Sequence, residues 1–208
     1  MTTVTYFKET ASQTAGPYVH IGLAPNAAGF DIFENNFSNI LTTEKTKGDR
    51  IRIEGRVLDG TGTPVRDVLV ELWQANAEGK YNHPRDTQRD KTIDPTFRGW
   101  GRSASDFDTG VWSFDTIKPG TITERNGKVS APHLNLWIVA RGINIGLNTR
   151  MYFSDEATAN ARDPVLNGIE WEVRRQTLIG TKETAGKQTI YRFDIHLQGP
   201  NDTVFFDI

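Results

Sequence analysis

The segment Pro132 to Gly142, PHLNLWIVARG, holds the side chains best suited to chemistry. Read as a strand, it sets His133, Asn135, Trp137, Val139 and Arg141 on one face and Leu134, Leu136, Ile138 and Ala140 on the other. The second face is core. The first offers an imidazole, an amide and a guanidinium among aromatic and apolar neighbours, and buried polar groups need specified partners. Two readings stand side by side: a pocket wall, or a polar pair of His133 and Asn135 satisfied within an interface. Tyr81 follows Gly79-Lys80 in a loop after a predicted strand, where rigid β-folds present functional side chains. Alone it is an ordinary loop tyrosine. His20 and His83 are expected in loops, and His196 alternates with Tyr191, Phe193, Ile195 and Leu197. Solvent-facing or hydrogen-bonded roles are expected for all three.

Several chemistries are excluded at once. The 208 residues contain no cysteine, so disulfides, thiolate metal sites and cysteine nucleophiles are absent, which suits a reducing, cytoplasmic location. Any metal must be bound by oxygen and nitrogen. The net charge of −2 comes without a basic stripe, leaving no electrostatic argument for nucleic acid or a lipid surface. The N-terminal residues lack the charged and apolar regions of an export signal, and no apolar run approaches the roughly 18 residues of a spanning helix. No GxSxG, P-loop, HExxH or GxGxxG motif occurs.

The elements that must position these residues are strands. Residues 1–48 have no sustained period and read as an irregular N-terminal arm lying on a partner chain, followed by one β-sandwich domain over 49–208. From Asp49 the pattern alternates, with Ile51, Ile53 and Val57 on one face and Arg50, Arg52, Glu54 and Arg56 on the other. GTGTP turns the chain into a second, more apolar strand within PVRDVLVELWQAN. RGWGRSASDFDTG is expected to be a loop, and VWSFDTI a third strand stopped by Lys118-Pro119-Gly120. Further strands are expected at His133 to Arg141, Asn148 to Phe153, Thr189 to Leu197 and Thr203 to Phe206. Only Glu156 to Asp163 reads as helix. The predicted fold is all-β, an antiparallel sandwich with little helix.

The stretch Ile53 to Tyr81 resembles the signature of the intradiol ring-cleavage dioxygenases, with Gly55, Val57, Gly62, Val65, Val70-Glu71-Leu72 and Gly79-x-Tyr81 in register. GRSASDFDTGVWSFDTIKPG, APHLNLWIVARG, the arm SQTAGPYVHIG and the tail TVFFDI extend the likeness over almost the whole chain. Within the family it is to the alpha chain of two-chain members. The family's catalytic chain holds Fe(III) with two tyrosines and two histidines. Carried onto this sequence, those positions fall on Tyr81, Ile122, His133 and Asn135. Two of four donors are lost: Ile122 offers none, and Asn135 at best a neutral amide oxygen. Tyr81 and His133 are then remnants, expected to hydrogen-bond each other or support the fold, and this chain binds no metal.

The resemblance further implies a homologous catalytic beta chain as partner, carrying the Fe(III), in a higher hetero-oligomer. The implied reaction consumes O₂ and cleaves 3,4-dihydroxybenzoate to 3-carboxy-cis,cis-muconate. Thr14, Gly16, Pro17 and Tyr18 of the arm, with Arg141, are the implied substrate-lining positions. A Gly-Pro backbone can approach an aromatic ring closely, and Arg141 can steer a carboxylate. The competing expectations are a turn at Gly16-Pro17 and an acid paired with Arg141. Two rival functions remain open on the sequence: an autonomous metal enzyme recruiting His20 or His83, and a non-enzymatic β-sandwich binding module.

Overall fold

In the computed structural model, residues 13–34, 37–186 and 188–207 are described; the first twelve residues of the predicted arm lie outside them. The first strand, β1 (Arg50–Leu58), buries Ile51, Ile53, Gly55 and Val57 and turns its charged residues outward, as the alternation requires. Ten more follow: β2 (Leu69–Trp73), β3 (Trp100–Ala104), β4 (Val111–Ile117), β5 (Ile122–Thr123), β6 (Val129–Ser130), β7 (His133–Val139), β8 (Leu147–Phe153), β9 (Ile179–Ala185), β10 (Gln188–Arg192) and β11 (Ile195–His196). Nine of them form one sheet in the order β11-β1-β10-β9-β8-β7-β2-β3, with β4 also on β1.

The sheet is mixed rather than antiparallel. β1 runs parallel to both β10 and β11, and β8 parallel to β9. It also curls until its two ends nearly meet. Ser113 N donates to Ser103 Oγ across the gap between β4 and β3 (3.1 Å). The seam is filled by residues 38–41. Ser38 O accepts from Arg102 N and Asn39 O from Asp115 N, while Leu41 N donates to Asp115 O and Leu41 O accepts from Arg98 N. The last part of the predicted arm is thus built into this chain's own sheet, where backbone groups on both edges find partners.

The enclosed core joins Ile53 and Val57 to Val70, Leu72, Phe114, Leu134, Leu136, Ile138, Met151, Phe153 and Tyr191. A smaller cluster of Ala131, Tyr152, Leu166 and Leu178 lies at one end of β7 and β8. It surrounds Asp163, which accepts from Tyr152 Oη (3.0 Å) and from the backbone N–H of Ala131, Val165 and Leu166.

The structure departs from the sequence reading at several elements. β3 replaces a predicted loop, because its inward positions are Gly101 and Ser103 and carry no apolar signal. β9 went unpredicted because most of its side chains are exposed and polar. The expected strand at Thr189 to Leu197 breaks at Phe193-Asp194 into β10 and β11, and Thr203 to Phe206 contributes only a bridge from Phe206 to Asn148. Helix α1 (Val19–Leu23) lies within the arm, α2 (Ala157–Asn160) matches the brief predicted helix, and α3 (Glu172–Gln176) is additional.

The break between β10 and β11 dictates Gly55. A Cβ there would stand 1.9 Å from Phe193 O, a backbone atom that cannot give way. Gly55→Ala is expected to cost about 1–3 kcal/mol or more, seen as a lower urea midpoint with an unchanged slope.

Candidate functional site

One register assembles the site. β7 and β8 place His133 opposite Tyr152 and Asn135 opposite Arg150, while β2 and β7 place Trp73 opposite Asn135. Directly opposed residues share a face of the sheet, so His133, Asn135, Trp73, Arg150 and Tyr152 converge on one side, with Leu134 and Leu136 on the other, in the core.

Tyr81 is delivered by the loop after β2. Asn76 Oδ1 accepts from the backbone N–H of Glu78 and Lys80, and Gly79 takes φ +82° with its α-carbon against Thr121 O, a position no side chain can share. Asp86, paired with Lys80 (3.0 Å), accepts from Tyr81 N (2.8 Å). The phenol ring then stacks on Trp73 with centroids 5.5 Å apart and planes at 12°. Its hydroxyl receives an N–H from Asn135 Nδ2 at 2.9 Å.

Tyr81 and His133 therefore do not bond each other. The buried His133 has its Nδ1 2.8 Å from Ala131 O, which assigns the proton to Nδ1 and leaves Nε2 as an acceptor. Burial, reinforced by the Arg150 charge, lowers the imidazole pKa to about 4, so it is neutral at pH 7. Burial pushes the Tyr81 phenol up to about 12, against the opposing effects of the Asn135 hydrogen bond and Arg150. Ile122 is buried in β5 and supplies only methyl groups.

Iron does not fit these residues. A ferric ion needs several anionic or neutral donors, whereas here the phenolic oxygen is engaged by the Asn135 amide, Ile122 beside it is aliphatic, and the Arg150 guanidinium belongs to the same face. Among the described residues no group of three or more His, Cys, Asp and Glu could hold a metal. Arg150 and Trp73 were not singled out from the sequence. The alternation Asn148, Arg150, Tyr152 was the available signal, but it becomes meaningful only when that strand is known to lie against His133 and Asn135.

The arm and Arg141 form a second assembly. Ala15 bridges in parallel to Arg141, and Thr14 Oγ1 accepts from Gly142 N (2.7 Å) and donates to Ile143 O (3.2 Å). Pro17, Tyr18 and Arg141 line one cavity of about 710 Å³. A Cβ on Gly16 would have nothing within 4 Å, so Gly16 is not crowded within this chain. Arg141 does pair with an acid: its Nε lies 3.3 Å from Asp67 Oδ2, yet its side chain is 67% exposed while that of Asp67 is 8% exposed. The carboxylate sits beneath and the guanidinium stays presented.

His20 departs from expectation. It lies in α1 rather than a loop, is buried beside Phe107 (5.3 Å), and its Nδ1 has no hydrogen-bond partner among the described residues. His83 is exposed, with Nδ1 accepting from Arg85 N (3.1 Å), and His196 is half-buried. His20 lies apart from Tyr81 and His133, in the Arg141 cavity, whereas His83 lines the same cavity as those two residues and stands edge-on to Trp73 (6.3 Å).

A family model described as dioxygenase matches residues 32–199. The chain belongs to the dioxygenase family. It is 48% identical over 199 residues to the protocatechuate 3,4-dioxygenase alpha chain of Pseudomonas putida, covering 96% of each chain. It is also 38% identical over 173 residues to the beta chain of that enzyme from Burkholderia cepacia, covering 79% of this chain and 71% of the other. The dioxygenase domain of a carbohydrate-binding fusion protein from Streptomyces sp. SirexAA-E shares the fold, with a TM-score of 0.56 and 22% identity over 83% of this chain and 93% of that one. The resemblance to intradiol dioxygenases is borne out.

A buried neutral histidine has a signature in stability. Unfolded, His133 titrates near 6.5; folded, near 4. As the pH falls through that window the unfolded chain takes up a proton that the folded chain refuses, so stability falls by about 3 kcal/mol in total. Urea unfolding between pH 7.5 and 4 is expected to show this loss, and His133→Gln to flatten it.

Proposed function

We propose that the chain is the non-iron-binding alpha subunit of a protocatechuate 3,4-dioxygenase. It forms part of the substrate pocket for intradiol cleavage of 3,4-dihydroxybenzoate to 3-carboxy-cis,cis-muconate. The observation that carries the reading is the pairing of a dismantled donor set with an intact presenting surface. Ile122, Asn135 and Arg150 make an iron centre unworkable in this chain. Thr14 and Ala15 meanwhile tie the arm to Arg141, the residue expected to meet a carboxylated substrate. Extensive likeness to an alpha chain, with lesser likeness to a beta chain, supports a homologous catalytic partner.

In this assembly the ferric ion and the O₂ chemistry belong to the partner, and this chain contributes binding and shape. Residues 13–34 of the arm, with Tyr18, Phe30, Ile32 and Phe33 exposed, pack on the partner chain. Gly16 and Pro17 give a low-bulk rim over the aromatic ring. Arg141, ion-paired from below with Asp67, offers its N–H groups to the substrate carboxylate. The absence of cysteine and of any described helix long and apolar enough to cross a membrane accords with a cytoplasmic enzyme.

Expressed alone, the chain is expected to be colourless and free of iron. Co-expressed with the homologous catalytic chain, it is expected to copurify and to support ring cleavage. Failure to form a complex, with ring cleavage by the catalytic chain the same in its absence, sinks the reading. In the complex, Arg141→Ala is expected to lower kcat/KM for 3,4-dihydroxybenzoate by about tenfold, as loss of a charge-assisted hydrogen bond does. Iron content should not change. An unaltered kcat/KM removes Arg141 from the pocket.

A further inference from the structure

The cavity beside Tyr81 and His133 has not collapsed with the loss of its metal donors. It encloses about 420 Å³, with Trp73, Ile122 and Arg150 also in its wall. The charge within it has changed character. Arg150 stands opposite Asn135, makes only a long hydrogen bond to Tyr152 Oη (3.4 Å), and enters no ion pair among the described residues. Arg85 and Arg125 add positive charge at the rim. Two carboxylates also line it: Asp86 is paired with Lys80 and accepts from Tyr81 N and Gln88 N, while Glu124 accepts from Ser130 Oγ (2.9 Å) and keeps its charge near Tyr81, so Arg150, Arg85 and Arg125 outnumber them.

The donors point the same way. Because Asn135 donates to the Tyr81 oxygen, the phenolic proton is free to be given to a ligand. An unpaired guanidinium and a hydroxyl donor in a partly apolar cavity make a poor site for a cation and a good one for a carboxylate. His133 Nε2, an acceptor, could take a hydrogen bond from a hydroxyl elsewhere on the same molecule. Trp73, the Tyr81 ring and Ile122 supply the apolar wall for a ring.

We infer that the family's metal pocket has become, in this chain, an anion pocket for a small aromatic carboxylate, with Arg150 as the counter-charge and Tyr81 as the hydrogen-bond donor. The site lies in the chain itself, apart from the Arg141 cavity, and rests on the family register but not on the subunit's part in ring cleavage.

The test is a titration of the full chain with benzoate, followed by calorimetry and by intrinsic tryptophan fluorescence, to which Trp73 contributes, with benzyl alcohol and inorganic phosphate as comparison probes. Saturable benzoate binding is expected, at least tenfold tighter than either probe. Arg150→Gln should weaken it at least tenfold, Arg150→Lys less, and Tyr81→Phe by about tenfold, the size of one hydrogen bond to a charged group. Arg141→Ala should leave it unchanged, which separates this pocket from the proposed substrate surface. Unfolding curves establish that each variant is folded, and Arg150→Lys keeps the test valid if Arg150→Gln is not. Absence of saturable binding, equal binding of benzyl alcohol, phosphate binding tighter than benzoate, or benzoate binding indifferent to Arg150 each overturns the inference.

Discussion

The side chains of His133 and Asn135 stand on one face of β7, and β8 sets Tyr152 and Arg150 directly against them. That antiparallel register is the constraint from which the remainder of the pocket follows. It brings a permanent positive charge to the place where a metal cation would need negative and neutral donors. Burial, reinforced by that guanidinium, holds the imidazole neutral, and Asn135 is a donor to Tyr81. A shift of one residue in the pairing would turn Arg150 into the core, which the hydrophobic face of Leu134, Leu136 and Ile138 forbids.

Around this register the fold spends its polar groups on positioning. Asp163 gathers Tyr152 Oη and three backbone N–H groups at the end of β7, fixing the turn at Ala131 whose carbonyl holds His133. Asn76, Gly79 and Asp86 do the same for Tyr81. Such satisfied networks are expensive to dismantle, because a buried polar group that loses its partner costs about 1–3 kcal/mol. This is a physical reason for Tyr81 and His133 to be kept whether or not they serve chemistry.

Arg141 illustrates the opposite arrangement. Its partner Asp67 is buried while the guanidinium remains mostly exposed, and the two form an ion pair without a hydrogen bond, so the pair orients a charge whose donors face outward. The arm is fastened beside it by a backbone bridge from Ala15 to Arg141 and by the Thr14 hydroxyl, which accepts from Gly142 N. Two pockets in one chain therefore carry arginines of different kinds: Arg150 inward and without an ion pair among the described residues, Arg141 outward and braced.

The sequence by itself determined the strands whose inward positions are apolar, because alternation in β1, β4 and β7 is a local consequence of burial on one side. It also determined the residue types at Ile122 and Asn135, on which the proposed absence of iron from this chain rests. It could not reveal β3 or β9, where small or polar side chains carry no period, nor the parallel pairings of β1 with β10 and β11, since partner choice is non-local. Arg150 in the pocket, Asp67 beneath Arg141, the buried His20 and the closure of the seam by residues 38–41 were decided only by tertiary structure. Each depends on residues tens of positions apart meeting across the curled sheet, and no period in the chain records that meeting.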